Sequence, residues 1–210
     1  MSVPAGNRYW PVPIARGVVA IAVTIAITFS ADHSPALGFA MFGIFAVVTG
    51  LVLLLLGGRR LERGTERSFF LVQSIILIAG GVVALVSMRS GLPFFLALVS
   101  TVAVLTGAIE AYSGFRSRSR NLSIAKDWLF AGVLTLLFAV VVLLVPSNFS
   151  QSFTGPDEVK RVLTASVVVV GAFGAYSALL GVYLVIAGLS LKWGTQAAQA
   201  DVAPATQGGN

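Results

Sequence analysis

The sequence predicts an all-α polytopic membrane protein, a bundle of six transmembrane helices from three repeated helical hairpins, with both termini in the cytoplasm. Three observations lead to this prediction. The chain of 210 residues is 57% hydrophobic and only 10% charged, whereas soluble domains average roughly 45–50% apolar and about 25% charged residues. Six apolar runs approach the roughly 20 residues that a membrane-spanning helix needs. Glycines recur at a constant spacing in alternate runs.

The predicted spans are approximately 12–29, 37–56, 69–88, 92–115, 128–145 and 163–191. They pair into hairpins 12–57, 69–115 and 128–191, which together make a transmembrane domain, 12–191, after a short cytoplasmic lead, 1–11. Arg16 is the only Lys or Arg inside the spans, and its position in the first turn allows the side chain to snorkel to the headgroups. The tail, 192–210, is polar and lacks an apolar face, so we expect it to be disordered.

The distribution of basic residues predicts the orientation. Eleven of the 14 Lys and Arg residues flank the spans on the side that holds both termini. Because short loops rich in Lys and Arg stay in the cytoplasm, this side is predicted to be cytoplasmic. Trp10, Trp128 and Trp193 lie at the same ends of the spans, and we expect them to anchor in the headgroup region. The composition, rich in Ala, Val and Gly and free of Cys, favours a bacterial inner membrane.

The longest outer loop, 146–161, contains a pattern typical of a helix start. Pro156 is followed by Asp157 and Glu158, and proline at the first helical position with acids in the first turn is common at helix N-termini. The sequence therefore predicts that the sixth helix begins near Pro156, outside the bilayer.

Small residues repeat every seven positions in the second, fourth and sixth spans. The three sets are Gly43, Gly50 and Gly57; Ser100, Gly107 and Gly114; and Gly174, Gly181 and Gly188. The first two sets are offset by 57 residues, as are other pairs such as Gly17 and Ser74. Seven residues make two helical turns, so each set forms a seam that permits close helix packing in lipid. We expect the even-numbered helices to make the tight contacts; a substrate passage lined by these glycines is the alternative.

The hairpin pattern resembles that of the HdeD-like family of small bacterial membrane proteins. The resemblance is strongest from Trp128 and Gly132 to Pro146, and next strongest from Gly107 and Gly114 to the basic residues that follow. It extends over about 16–191. The resemblance implies six helices in three hairpins and a role in acid or envelope stress tolerance, and it implies no catalytic residues.

Glu110 is the only acid inside a predicted span, and we expect Gln73 to lie at a similar depth in the membrane. Ionisable groups inside a membrane are candidates for function. The third and first hairpins carry Leu184 and Leu53 at the corresponding position, so packing of the repeat does not require an acid. Three interpretations are open: a protonatable site, a contact with a partner subunit, or an acid near the interface that binds Gln73 or an arginine.

Two other groups of polar residues lie near the predicted membrane surfaces. Basic residues at the cytoplasmic ends could bind anionic lipid headgroups, or they could act only as the signal for orientation. They include Arg59, Arg60, Arg116, Arg118 and Arg120. On the outer face, the single histidine, His33, follows Asp32, where it could sense acid pH or have no special role.

Composition excludes several classes of function. The chain has no Cys and one His, which argues against thiolate or histidine metal sites, and it has no phosphate-binding motif. We therefore predict a non-enzymatic protein without cofactor or metal, whose partners are membrane lipids rather than nucleic acid.

The leading hypothesis is a self-standing HdeD-like protein that forms a homo-oligomer and serves stress tolerance or membrane organisation. The alternatives are an accessory subunit of a larger membrane complex, such as a respiratory complex, and a small-solute or proton pathway that uses Glu110.

Overall fold

The computed structural model describes residues 9–58, 65–118, 124–154 and 160–200 and confirms an all-α bundle with six helices long and apolar enough to cross a membrane. The helices are α1 (Pro11–Thr28), α2 (Pro35–Val52, continued by a π-helical turn at Leu53–Gly57), α3 (Thr65–Val86), α4 (Leu92–Arg118), α5 (Ala125–Leu144) and α6 (Ala165–Ala200). Two short strands, β1 (Ser150–Thr154) and β2 (Lys160–Thr164), separate α5 from α6. We call the end of the bundle that carries this strand pair the hairpin end, and the opposite end the terminal end.

Local sequence explains how the turns at the hairpin end are formed. Ser34 caps α2, since its hydroxyl accepts the backbone N–H of Leu37 at 3.3 Å, and Pro35 occupies the first helical turn. Serine is among the best N-cap residues, and proline is favoured at the first position because its missing N–H needs no partner there. Before α4, Gly91 has a φ of +82°, a conformation that glycine adopts without steric cost.

The predicted helix start near Pro156 is wrong, because the region that precedes α6 contains a β-hairpin. β1 and β2 pair antiparallel, from Ser150 opposite Thr164 to Thr154 opposite Lys160. The second strand contains β-branched residues, which favour extended structure, and the backbone N–H of Ala165 donates to the Phe149 carbonyl as α6 begins. Pro156 itself lies outside the described residues.

The chain after the sixth predicted span is helical for longer than the sequence indicates. The tail 192–210 was expected to be disordered, but α6 continues to Ala200, and 201–210 lie outside the described residues. Alanine and glutamine are strong helix formers, which outweighs the lack of an apolar face. Lys192 also holds this segment to the start of the chain, since its ammonium lies 5.1 Å from the ring centre of Trp10.

The closest backbone approaches join each even-numbered helix to an odd-numbered one. α2 packs on α3, α4 on α5, and α6 returns to α1. In each pair, a Cβ added at one glycine would lie about 3 Å from a carbonyl oxygen of the neighbouring helix: Gly50 from Ser74 (2.9 Å), Gly107 from Gly132 (3.1 Å) and Gly181 from Gly17 (3.0 Å). The two helices of each predicted hairpin also contact each other, so the six helices form a closed cycle. The tightest contacts join helices of different predicted hairpins.

The remaining seam glycines make similar contacts, with one exception. A Cβ would also meet neighbouring atoms within 3.1 Å at Gly43, Gly114, Gly174 and Gly188. For Gly57, by contrast, no described atom lies within 4 Å of the added Cβ. Among the described residues, the seam glycines other than Gly57 therefore pack closely against neighbouring helices.

Candidate functional site

A polar cluster lies inside the bundle, where α1, α3 and α4 meet. The guanidinium of Arg16 donates two hydrogen bonds to the carboxylate of Glu110, Nη1 to Oε1 at 2.6 Å and Nη2 to Oε2 at 3.0 Å. The amide Nε2 of Gln73 donates to the same Oε2 at 3.1 Å. The three residues are 5%, 2% and 2% exposed. A paired arginine and carboxylate with two parallel bonds is among the strongest polar contacts in proteins.

The cluster lies well inside the membrane-spanning part of the bundle. Arg16 follows the start of α1 by five residues and Glu110 precedes the end of α4 by eight. At 1.5 Å per residue these positions are about 8 and 12 Å from the helix ends. The expectation that Arg16 would snorkel to the headgroups is wrong, because its side chain turns inward and finds a carboxylate that compensates its charge.

The glycine contacts place the donors of the cluster at equivalent positions. The carbonyls of Gly17 and Ser74 face seam glycines of neighbouring helices in the same way, and Arg16 and Gln73 directly precede them. The offset of 57 residues therefore also relates Arg16 to Gln73. Sequence reasoning gave a bond of Glu110 to Gln73 or to an arginine as one of three interpretations and did not single out Arg16, although the repeat already contained the signal.

Glu110 interrupts an otherwise apolar position. It follows Gly107 by three residues, as Leu53 follows Gly50 and Leu184 follows Gly181, and both leucines are buried. Leucine therefore fills the equivalent position in the other two hairpins, so helix packing alone does not require an acid here. Its role must be explained by the charge it brings.

An aromatic layer closes the cluster toward the terminal end. Trp128 donates its indole N–H to the hydroxyl of Tyr9 at 3.0 Å, and Phe70 packs against both rings with centroids 4.7 and 6.4 Å away. Burial raises the pKa of the Tyr9 hydroxyl well above its usual 10.0. The expectation that Trp128 would anchor in the headgroups is wrong: it is 2% exposed, because its N–H has a partner within the bundle. Trp193, in contrast, is exposed.

A second aromatic layer closes the cluster toward the hairpin end. Phe42, Phe45 and Phe138 surround Phe173 with ring centroids 5.6–5.8 Å apart, and Tyr176 lies 4.7 Å from Phe138. All five rings are buried. The polar cluster is thus held between two aromatic layers.

A cavity of about 30 Å³ adjoins the cluster on the side of the second layer. Its wall contains the polar cluster, three threonines, one tyrosine and apolar side chains that include three phenylalanines. Three buried polar atoms of these residues have no hydrogen-bond partner among the described protein atoms: Arg16 Nε, Gln73 Oε1 and Thr49 Oγ1. Leaving such a group unsatisfied costs about 1–3 kcal/mol, and more for a charged group.

The candidates Asp32 and His33 lie at the hairpin end and are not buried. The carboxylate of Asp32 accepts the backbone N–H of Ser34 at 2.9 Å and its hydroxyl at 2.7 Å. These bonds lower the pKa of Asp32 below its ordinary value. His33 is half-exposed beside it. The arrangement is a turn that leads into the cap of α2.

Two of the basic candidates, Arg116 and Arg118, lie at the terminal end. Arg118 is exposed and Arg116 half-buried, beside the exposed rings of Phe115 and Tyr112. Basic and aromatic side chains together suit the headgroup region of a bilayer. Three further candidates lie outside the described residues: Arg59, Arg60 and Arg120.

Within the described ranges, no group of three or more His, Asp or Glu side chains is placed to hold a metal ion. The polar cluster is therefore the arrangement with the most distinctive chemistry: a compensated buried charge pair, an amide and a small cavity. Comparisons with protein-family models, with curated proteins and with solved structures gave no match to this chain.

Proposed function

We propose that this chain is a self-standing, non-enzymatic membrane protein of HdeD-like type that acts through its folded bundle, with a role in acid or envelope stress tolerance or in membrane organisation. The stress role derives from the resemblance of the hairpin motifs. In this proposal the chain spans a bacterial inner membrane with both termini in the cytoplasm, and its lipid-facing surface serves contacts with lipids and with further copies of itself.

One observation carries the non-enzymatic part of the proposal. The carboxylate of Glu110 accepts two hydrogen bonds from Arg16 and one from Gln73 between two aromatic layers. A group that serves a reaction or a transport step needs access to a substrate or to water on a path across the membrane. Glu110 is 2% exposed, and the cavity beside it is small and adjoins the phenylalanine layer, so the arrangement favours a charge pair that fixes how α1, α3 and α4 meet.

The proton or solute pathway is the second candidate, and the cavity beside Glu110 is the observation that favours it. A path toward the hairpin end would have to pass Phe42, Phe45, Phe138 and Phe173, which form a packed apolar layer. Hydrophobic constrictions of this kind oppose the passage of ions. The pathway therefore requires a second conformation in which this layer opens.

A flux assay separates the two candidates. The purified protein would be reconstituted into liposomes loaded with a pH-sensitive dye, and proton entry would be driven by a potassium diffusion potential. The proposal predicts the same flux as in protein-free liposomes for the wild type and for Glu110→Gln. A wild-type flux that Glu110→Gln abolishes and the exposed-acid control Asp32→Asn retains would overturn it.

Two cellular measurements test the rest of the proposal. Purification in mild detergent at native expression level, followed by mass spectrometry, should yield this chain without a stoichiometric foreign partner. Cells that lack the chain should survive acid or envelope stress less well than cells complemented with it. Recovery of a fixed foreign complex would favour the accessory-subunit hypothesis, and unchanged survival would remove the stress role.

A further inference from the structure

We propose that the cavity beside Arg16 and Glu110 is a binding site for a pair of water molecules, which makes the buried charge pair a hydrated one. The cavity has a volume of about 30 Å³, and a buried water needs on the order of 10–15 Å³ of such volume together with two to four polar partners. The size therefore suits about two water molecules and excludes a larger organic ligand.

The unpartnered atoms supply the partners that water requires. Arg16 Nε is a donor, Gln73 Oε1 is an acceptor, and the hydroxyl of Thr49 can act as either. The residues that carry them are each at most 5% exposed and all line the cavity. The orientation of the Gln73 amide follows from its bond to Glu110, since a carboxylate accepts and the amide nitrogen must face it.

The conformation of Thr49 is an independent indication. A threonine in a helix commonly bonds its hydroxyl to the carbonyl four residues earlier. Thr106, related to Thr49 by the offset of 57, does so with Val102 at 2.7 Å, and Thr135 does so with Ala131 at 2.8 Å. Both threonines also line the cavity. Thr49 is the cavity-lining hydroxyl without a partner among the described protein atoms, so it is free to bind a ligand there.

Electrostatics favour water over an ion. A chloride at Arg16 Nε and Thr49 would approach the carboxylate of Glu110 and the amide oxygen of Gln73. A sodium ion at those oxygens would approach the guanidinium of Arg16. The charge pair is neutral overall, so a neutral ligand that both donates and accepts hydrogen bonds fits all three atoms.

Water-edited solid-state NMR on the full chain would test the site. The protein would be labelled with ¹⁵N-arginine and reconstituted in deuterated lipid, so that water is the main proton source outside the protein. The Nε signal of Arg16 would be assigned by its loss in Arg16→Lys. We expect magnetisation from water to reach Arg16 Nε as fast as it reaches exposed arginines such as Arg118.

Two threonine variants provide a matched comparison. Thr49→Val removes a water partner and should slow the transfer to Arg16 Nε several-fold. Thr24→Val removes a hydroxyl that bonds the carbonyls of Ala20 and Gly174 and does not line the cavity, so it should leave the transfer unchanged. Thr49→Ser should restore the transfer, which shows whether a loss in Thr49→Val reflects the hydroxyl rather than misfolding. A wild-type Arg16 Nε that receives magnetisation as slowly as the buried core overturns the proposal, whatever the variants do. A shift of its resonance when chloride is replaced by gluconate would assign the site to an anion and also overturn it.

Discussion

Removing the carboxylate of Glu110 should destabilise the bundle strongly, because it leaves a buried positive charge. Glu110→Leu places in α4 the residue that α2 and α6 carry at the equivalent position, so the side chain should fit. Arg16 would then lie within the bundle with its guanidinium unpaired. Removing one partner of a buried ion pair costs about 3–5 kcal/mol. A Coulomb estimate agrees, since unit charges about 4 Å apart at an effective dielectric constant of about 20 attract by about 4 kcal/mol.

The free energy of unfolding can be measured in mixed micelles of dodecylmaltoside with increasing dodecyl sulfate. Tryptophan fluorescence should report the transition, because Trp128 is buried against Tyr9 and Phe70. Gln73→Leu supplies a graded comparison. It removes one bond to the carboxylate and should cost only about 1.5–3 kcal/mol.

The double variant Arg16→Met/Glu110→Leu tests whether the loss comes from the unpaired charge. Replacing both members of a buried ion pair with apolar residues is often neutral or stabilising. We therefore expect the double variant to recover most of the stability lost in Glu110→Leu. This account would be refuted if the double variant lost as much unfolding free energy as Arg16→Met and Glu110→Leu together. It would also be refuted if Glu110→Leu had wild-type stability.

Two further predictions concern the packing and the outer turn. Gly132→Ala should lower the free energy of unfolding by several kcal/mol, since its Cβ would overlap with the backbone nitrogen of Ala111. Gly57→Ala, where no described atom lies within 4 Å of the added Cβ, should be neutral or stabilising by up to about 1 kcal/mol in the same assay. Asp32 should titrate below its ordinary pKa of 3.8 in a ¹³C NMR titration, and Ser34→Ala should raise this pKa. The pKa of Asp32 is lower in the folded chain than in the unfolded chain. Asp32 therefore contributes to the stability of the fold above about pH 4, and this contribution is lost as the pH falls through the folded pKa.

Equal losses of unfolding free energy for Gly132→Ala and Gly57→Ala would contradict the packing account. The substitution is the same at both sites, and only the contacts of the added methyl group differ. An Asp32 midpoint at or above 3.8 would contradict the hydrogen bonding described for the turn.

Sequence reasoning predicted the six spans, because hydropathy is a local signal. It left a contact of Glu110 with Gln73 or with an arginine as one of three interpretations, and it did not identify Arg16 as the ion-pair partner. Arg16 lies near the start of a span, where snorkelling explains a lone arginine equally well, and it is 94 residues from Glu110 in sequence. The choice between headgroup and carboxylate depends on which helices are neighbours, and this is a property of the assembled bundle.

The error at the start of α6 has a different origin. Pro156 with the two acids after it is a genuine helix-start pattern, but Val162 and Thr164 pair more favourably with the strand before them. The segment before α6 can form either a helix or a strand. Backbone hydrogen bonds to the preceding strand favour the strand. Hydropathy counted Leu163 as the first residue of the span, although it lies in β2.

The closed cycle of helices has a consequence for biosynthesis. α1 is made first, yet its closest partner, α6, is made last, and the carboxylate that compensates Arg16 emerges 94 residues after it. At a synthesis rate of about 5–20 residues per second, the arginine waits roughly 5–20 s for its partner. During that interval α1 resides at the insertion machinery or in the bilayer with an unpaired charge. The order in which the ribosome delivers these helices therefore differs from the order in which they can pack, and the nascent chain must be held until the ring can close.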